Sequence, residues 1–309
     1  MENKEKNFIS AVIYVHNAEN RIEKFLSTII SVLEEHFEHS EIICVNDFSD
    51  DNSVQKIKQV STQAKSTIIS VLNMSYFHGL EMAMNAGMDL AIGDFVFEFD
   101  FTNMDYHPDE IMKIYIRSLE GYDIVSASPN KRQRASSSLF YFVFDKFTDI
   151  SYRMGTESFR ILSRRVINRI SSMNKSIPYR KAVYLNAGLK TDNIIYIVEK
   201  STLVADKRER KYRRGLAIDA LILFTDVGYK FSITMTILMM IMTIFMVIYS
   251  LITYLISTPV EGWTTTILFL SMAFFGLFGI LTVIIKYLQL LVELVFKRKR
   301  YNFENIEKL

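Results

Sequence analysis

Gly93-Asp94-Phe95-Val96-Phe97-Glu98-Phe99-Asp100-Phe101-Thr102-Asn103-Met104-Asp105 is the stretch on which the fold turns. Gly93 and Asp94 make a turn, and Phe95 to Phe99, rich in β-formers, makes a short buried strand. Asp100 stands where that strand ends. In an open α/β sheet the carboxyl ends of parallel strands border the ligand crevice. A carboxylate there has two readings: it caps the helix that begins near Pro108-Asp109-Glu110, or it holds a divalent cation against a diphosphate.

Upstream, strands and helices alternate. Phe8 to Val15 is an apolar, β-branched run, and Arg21 to His36 carries helical periodicity through Ile22, Phe25, Leu26, Ile29, Ile30 and Leu33. Glu41 to Val45 is a second strand that runs into the polar turn Asn46-Asp47-Phe48-Ser49-Asp50-Asp51-Asn52-Ser53 and a helix reaching about Ala64. Ser66 to Leu72 is a third strand, and Gly79 to Ile92 a helix with Leu80, Met84, Gly87 and Ala91 inward. Such alternation implies right-handed βαβ units and a parallel sheet, hence an α/β domain. Polar groups follow the strands at Asn17, Asp47 and Asp100, which places all three on one rim.

The chain of 309 residues is long enough for more than one structural unit, and its net charge of +2 excludes a globally basic nucleic-acid binder. Cys44 is the single cysteine, so no internal disulfide forms and a reducing cytoplasmic setting fits. The start, Met1-Glu2-Asn3-Lys4-Glu5-Lys6, is too polar for a signal peptide. Near Lys230 the composition changes sharply. Phe231 to Ile256 and Thr264 to Ile285 are apolar runs without charge. At about 1.5 Å per residue each spans a hydrocarbon layer of about 30 Å. Lys and Arg are absent from the intervening loop, whereas Lys207-Arg208-Glu209-Arg210-Lys211 and Lys297-Arg298-Lys299-Arg300 flank the outer ends. Positive charge stays inside, so both termini are expected in the cytoplasm. The basic cluster and the amphipathic stretch Leu216 to Phe224 suit a headgroup layer.

In this order the blocks resemble the inverting family 2 glycosyltransferases of the GT-A fold, particularly the membrane-anchored polyprenyl-phosphate sugar transferases, over nearly the whole chain. The resemblance implies a GT-A domain with a mostly parallel central sheet over residues 1–206 and a juxtamembrane segment over 207–230. Two transmembrane helices with an amphipathic extension follow over 231–296, then a cytoplasmic tail over 297–309. It implies a bacterial-type inner membrane location and transfer of a sugar from a nucleotide-sugar donor to a polyprenyl phosphate or related lipid-linked acceptor. A homo-oligomer is left open.

Carried over by position, Asn17 and Glu19 fall in the family's opening block, and Asp47 and Ser49 in the block that contacts the donor base. Asp100 begins the Asp-X-Asp that holds Mg²⁺ or Mn²⁺ and the donor diphosphate. Gly155-Thr156-Glu157-Ser158-Phe159-Arg160 resembles the acceptor-side segment, with Glu157 as a base or orienting group and Arg160 as a phosphate contact. Residue patterning alone also allows a solvated helix face for Arg160, Arg164 and Arg165. Arg208, Arg210 and Lys211 are the cations expected at the phosphates. The departures are specific. Thr102 replaces the second aspartate, and its hydroxyl is a poor ligand for a hard cation. Asn46-Asp47 replaces Asp-Asp, Tyr14 replaces the first strand's proline, and Tyr76 and Leu80 replace basic residues before the Gly79 helix. These losses raise the alternative of a catalytically degenerate member serving as a membrane scaffold or partner of an active transferase.

Overall fold

The computed structural model describes residues 4–130, 157–172, 179–186, 188–198 and 303–308, with isolated helical positions between 234 and 291. The elements run β1 (Ile9–Val15), α1 (Ile22–His36), β2 (Ser40–Asn46), α2 (Ser53–Ser61), β3 (Ile68–Met74), α3 (Leu80–Leu90), β4 (Phe95–Phe99) and α4 (Asp109–Leu119). They continue with β5 (Ile124–Pro129), β6 (Phe159–Ser163), α5 (Arg164–Ser172), α6 (Arg180–Asn186), β7 (Thr191–Tyr196) and β8 (Phe303–Lys308).

The described strands form one sheet in the order β7-β5-β6-β4-β1-β2-β3-β8. β1 lies parallel to both β2 and β4, with Ile9 opposite Ser40 and Phe95. The chain thus steps outward from β1 to β3 and then returns to the other side of β1 for β4. That reversal makes the crevice between β1 and β4 a topological switch point, the place where such sheets bind ligands. β6 is inserted antiparallel between β4 and β5, while β7 runs parallel to β5.

Alternation along the strands divides the core in two. Ile9, Ala11, Ile13 and Val15 of β1 pack with α1 and α4 through Phe25, Leu26, Ile111 and Tyr115. Val12 and Tyr14 face the other way, packing with α3 and α5 through Ala83, Met84, Val166 and Ile170. Gly87 lets α3 sit down on this second face: a Cβ there would lie 2.5 Å from Val12 Cγ1 and 2.6 Å from Val45 Cγ2. Cys44 is fully buried in β2, and burial pushes its thiol up to about 12.

Two sequence expectations change. Arg160 does not lie on a solvated helix; it is on strand β6 and 1% exposed. The segment after residue 297 is not simply a tail, because Phe303–Lys308 pairs antiparallel with β3, Lys308 opposite Ser70 and Phe303 opposite Met74. An ion pair between Lys58 and Glu307 pins this edge strand. Among the described residues no helix is long and apolar enough to cross a membrane. Most of 231–256 and 264–285, like the amphipathic stretch, lies outside those residues.

Candidate active site

Two groups of side chains stand on the carboxyl-end rim. The first links the loops after β1 and β2. Asn17 takes a left-handed φ of 47°, and its Oδ1 accepts from Asp50 N at 2.9 Å while its N donates to Ser49 Oγ at 3.2 Å. Glu19 Oε2 accepts from Asn52 N at 3.2 Å, and Glu19 N donates to Asp51 Oδ2 at 2.9 Å. Asn17, Glu19 and Ser49 therefore brace the two loops against each other. Asp47, fully buried, braces a third loop. It accepts from His78 N and Gly79 N, both at 2.8 Å, and from Tyr14 Oη at 3.0 Å. Gly79 adopts φ 84°, a left-handed conformation that glycine takes without a Cβ penalty, and α3 starts directly after it. Burial raises the Asp47 carboxyl, against the lowering by these donors. Tyr14, where the family has proline, is thus used as a hydrogen-bond donor to Asp47.

The second group surrounds Asp100. In β4, Phe95, Phe97 and Phe99 point to one face, so Glu98 and Asp100 share the other. Asp100 Oδ2 accepts from Arg160 Nη2 at 2.8 Å and Oδ1 from Arg180 Nη2 at 2.7 Å. Arg180 also donates through Nη1 to Glu98 Oε1 at 2.7 Å, and through its backbone N and Nε to Glu81 Oε2, each at 2.9 Å. Tyr184 Oη donates to Glu98 Oε1 at 2.7 Å. Arg160 Nη1 lies 3.1 Å from Glu98 Oε2 and its Nε 3.2 Å from Glu157 Oε2; these are ion-pair contacts without hydrogen-bond alignment. Lys181 Nζ adds a longer contact, 3.7 Å from the same Glu157 oxygen.

Four carboxylates and three cations thus meet in a deeply buried volume. Burying such charges is tolerated only because each finds a counter-charge. Burial pushes the Asp100 carboxyl upward, and Arg180, Arg160 and Lys181 more than offset it, holding the group well below the usual carboxylate range. Burial likewise opposes the charge on Arg180, but Glu98, Asp100 and Glu81 outweigh it and keep the guanidinium protonated. A small cavity adjoins the network, lined by Glu157, Arg160, Lys181, Tyr184, Ser126 and Asp192 among others.

The structure therefore brings Asp100, Glu157 and Arg160 together and groups Asn17, Glu19, Asp47 and Ser49 at the adjoining loops. Arg208, Arg210 and Lys211 lie outside the described residues. Arg180, Glu81 and Tyr184 were missed. One signal was available: Glu98 is a charged residue inside a strand otherwise built of Phe and Val, and a buried carboxylate demands a partner.

The residues around Asp100 do not fit Mg²⁺ or Mn²⁺. Such cations need several converging oxygen ligands. Both Asp100 oxygens already accept guanidinium N–H groups, Asp105 accepts from Tyr196 Oη at 2.8 Å, and Thr102 offers only a hydroxyl. Among the described residues no three His, Cys, Asp or Glu side chains are placed to hold a metal.

An α/β domain with a mostly parallel sheet and polar groups at its switch point defines a class of ligand-binding rim rather than one reaction. The sequence profile of Glycosyl transferase family 2 matches residues 10–171, more than half of the chain, and the chain belongs to that family. An uncharacterized glycosyltransferase of Synechocystis sp. is 29% identical over 194 residues, covering 61% of this chain and 60% of the relative. An undecaprenyl-phosphate 4-deoxy-4-formamido-L-arabinose transferase of Aeromonas hydrophila is 30% identical over 134 residues, 43% of this chain and 40% of the relative. The chain thus spans less than two thirds of either. Among solved structures, a mannosyltransferase of Pyrobaculum calidifontis, in complex with GDP-Man and Mn²⁺, superposes with a TM-score of 0.48 at 13% identity, covering 71% of this chain and 63% of that one.

Proposed function

We propose that this protein is a membrane-anchored glycosyltransferase that moves a sugar from a nucleotide-sugar donor to a polyprenyl phosphate, or a related lipid-linked acceptor, at the cytoplasmic leaflet. Family membership supports the transfer chemistry, and the name of the Aeromonas relative supports a lipid phosphate acceptor. The observation that carries most weight is the placement of Glu157 and Arg160 beside Asp100. β6 pairs with β4 so that Arg160 stands opposite Glu98, joining the segment matched to the acceptor side with the end of the switch-point strand.

In the reaction, an oxygen of the lipid phosphate attacks the anomeric carbon in line. The new carbon–oxygen bond forms as the bond to the donor's diphosphate oxygen breaks, with inversion, and the electron pair leaves on the nucleoside diphosphate. The attacking phosphate is already largely ionised near neutral pH, so Glu157 serves mainly to orient. The crevice supplies proximity, and Arg208, Arg210 and Lys211 supply positive charge for the phosphates.

Membrane anchoring draws on three observations. The two long runs carry no charge and are flanked by basic clusters. The helical positions described within them expose Leu238, Ile241, Phe245, Leu270, Leu277 and Leu281. Exposed apolar surface of that extent suits lipid. Finally, β7 and β8 belong to one sheet, so the chain between them begins and ends on the same side of any bilayer it crosses. Two crossings with a cytoplasmic domain satisfy that condition.

The test is to incubate membranes carrying the protein with a panel of labelled nucleotide-sugars and to extract the lipids. Label in a mild-acid-labile lipid, lost in Asp100→Asn, is expected. Absence of labelled lipid with every donor, together with absence of nucleotide binding by the purified protein, would instead support the scaffold role.

A further inference from the structure

We infer that Asp100 is the anchor of a permanent Arg160–Arg180 pair rather than a metal ligand, so that nucleotide binding at this rim needs no divalent cation. The clause about nucleotide rests on the glycosyltransferase reading; the clause about Asp100 does not.

The geometry is that of a set in which every charge faces a counter-charge, with Glu98 Oε2, Arg160 Nε and Arg160 Nη1 held by ion-pair proximity alone. Arg180 joins three carboxylates from two elements: Glu81 from α3, and Glu98 and Asp100 from β4 and its end. Its side chain is 0% exposed, and those of Glu81, Glu98 and Asp100 are 5%, 0% and 6% exposed. The guanidinium is a rigid fork that presents several donors in fixed directions, which a carboxylate trio can satisfy together. Arg160 closes the other side of Asp100, and its guanidinium carbon lies 5.6 Å from the centre of the Tyr184 ring. A dication approaching Asp100 would meet two guanidinium charges already bonded to its oxygens. To bind, it would have to displace at least one of them from its buried carboxylate partners.

Glu98 already faces both arginines, and the next oxygen ligands along the chain are committed or absent. Asp105 takes the Tyr196 hydroxyl, and residue 102 is threonine. Charge balance points the same way. Glu81, Glu98, Asp100 and Glu157 face Arg160, Arg180 and Lys181, so the cluster carries about one net negative charge, too little to hold a dication there without losing a cation. The strong lowering of the Asp100 carboxyl agrees with a group that stays ionised through its two arginines. The same two arginines perform, within the protein, the neutralisation of Asp100 that a metal would otherwise perform.

The experiment uses the full-length protein in detergent micelles. Mn²⁺ is titrated into the protein without nucleotide and followed by electron paramagnetic resonance. UDP and GDP are then titrated by calorimetry, once with EDTA and once with Mg²⁺. The expected results are no immobilised Mn²⁺ and a nucleotide Kd that agrees within about threefold between the two conditions. Immobilised Mn²⁺ that disappears in Asp100→Asn would overturn the inference, and so would nucleotide binding that requires Mg²⁺. Failure of both nucleotides to bind under either condition would count against the glycosyltransferase reading instead, and the Mn²⁺ titration would still decide the role of Asp100. Arg180→Met supplies the converse measurement. Freed of that guanidinium, Glu81, Glu98 and Asp100 should acquire a Mn²⁺ site, seen as a rise in melting temperature on adding Mn²⁺ that the unaltered protein lacks. The gain should vanish in the Asp100→Asn, Arg180→Met double variant. If Arg180→Met fails to fold, the titration of the unaltered protein carries the decision alone.

Discussion

Replacing Arg180 by Met tests the energetic reading of the buried network directly. The substitution keeps an unbranched chain but removes the guanidinium donors to Glu81, Glu98 and Asp100, leaving only the backbone N of residue 180 on Glu81. Breaking a buried ion pair by deleting one partner typically costs about 3–5 kcal/mol, because the other charge remains uncompensated. For a domain of this size 1 kcal/mol corresponds to roughly 2–4 °C, so the melting temperature should fall by roughly 6–20 °C. The pH dependence distinguishes lost charge pairing from lost packing. In the unaltered protein the Asp100 carboxyl is held below its ordinary range, so its contribution is complete above that range and is lost only as pH falls through strongly acid values. In the variant burial loses its main opponent and pushes the carboxyls up, so protonation in the folded state relieves the penalty as the solution is acidified. The gap between the two proteins should therefore narrow between roughly pH 7.5 and pH 5. Calorimetric melting of both proteins in the same detergent measures this. A fall of less than about 3 °C, or a gap of equal size at the two pH values, would refute the reasoning.

Three further outcomes are expected. In Asp47→Asn one acceptor oxygen becomes a donor facing one of the His78 and Gly79 amides, and the other amide keeps only a neutral acceptor. Loss of bonds to a charged acceptor, about 1.5–3 kcal/mol, should speed hydrogen exchange at those two amides by roughly tenfold or more, and unchanged exchange would contradict the role given to Asp47. Gly87→Ala should lower the denaturation midpoint: crowding against Val12 and Val45 costs about 1–3 kcal/mol, against about 1 kcal/mol regained in helix propensity. A midpoint equal to or above that of the parent would show that α3 can shift outward. Deleting residues 303–309 should expose the β3 edge and accelerate exchange along Ile68–Met74, and protection that stays the same would mean the strand is dispensable there.

The first half of the domain was legible because its signals are local. Strand β4 falls on the residues expected, and α1, α2 and α3 carry apolar residues at helical spacing. The rim positions Asn17, Asp47 and Asp100 follow from that alternation alone. Beyond α4 the pattern weakens because pairing is no longer sequential: β6 enters between β4 and β5. Arg160 looked like a surface residue because its counter-charges, Glu98 and Asp100, lie some 60 positions upstream. Arg180 had no local signal at all, since it is defined by carboxylates on α3 and β4. Phe303-Glu304-Asn305-Ile306-Glu307-Lys308 reads as a polar tail because an edge strand with one neighbour needs little apolar patterning.

The pairing of β8 with β3 also orders events on the ribosome. β3 is translated early, yet its outer neighbour emerges roughly 230 residues later, after the long apolar runs. At about 5–20 residues per second, that edge waits on the order of 10–50 s for its partner. Nascent chains stalled in that interval carry an open strand, and the sheet gains its outer neighbour only once the chain through Lys308 has emerged.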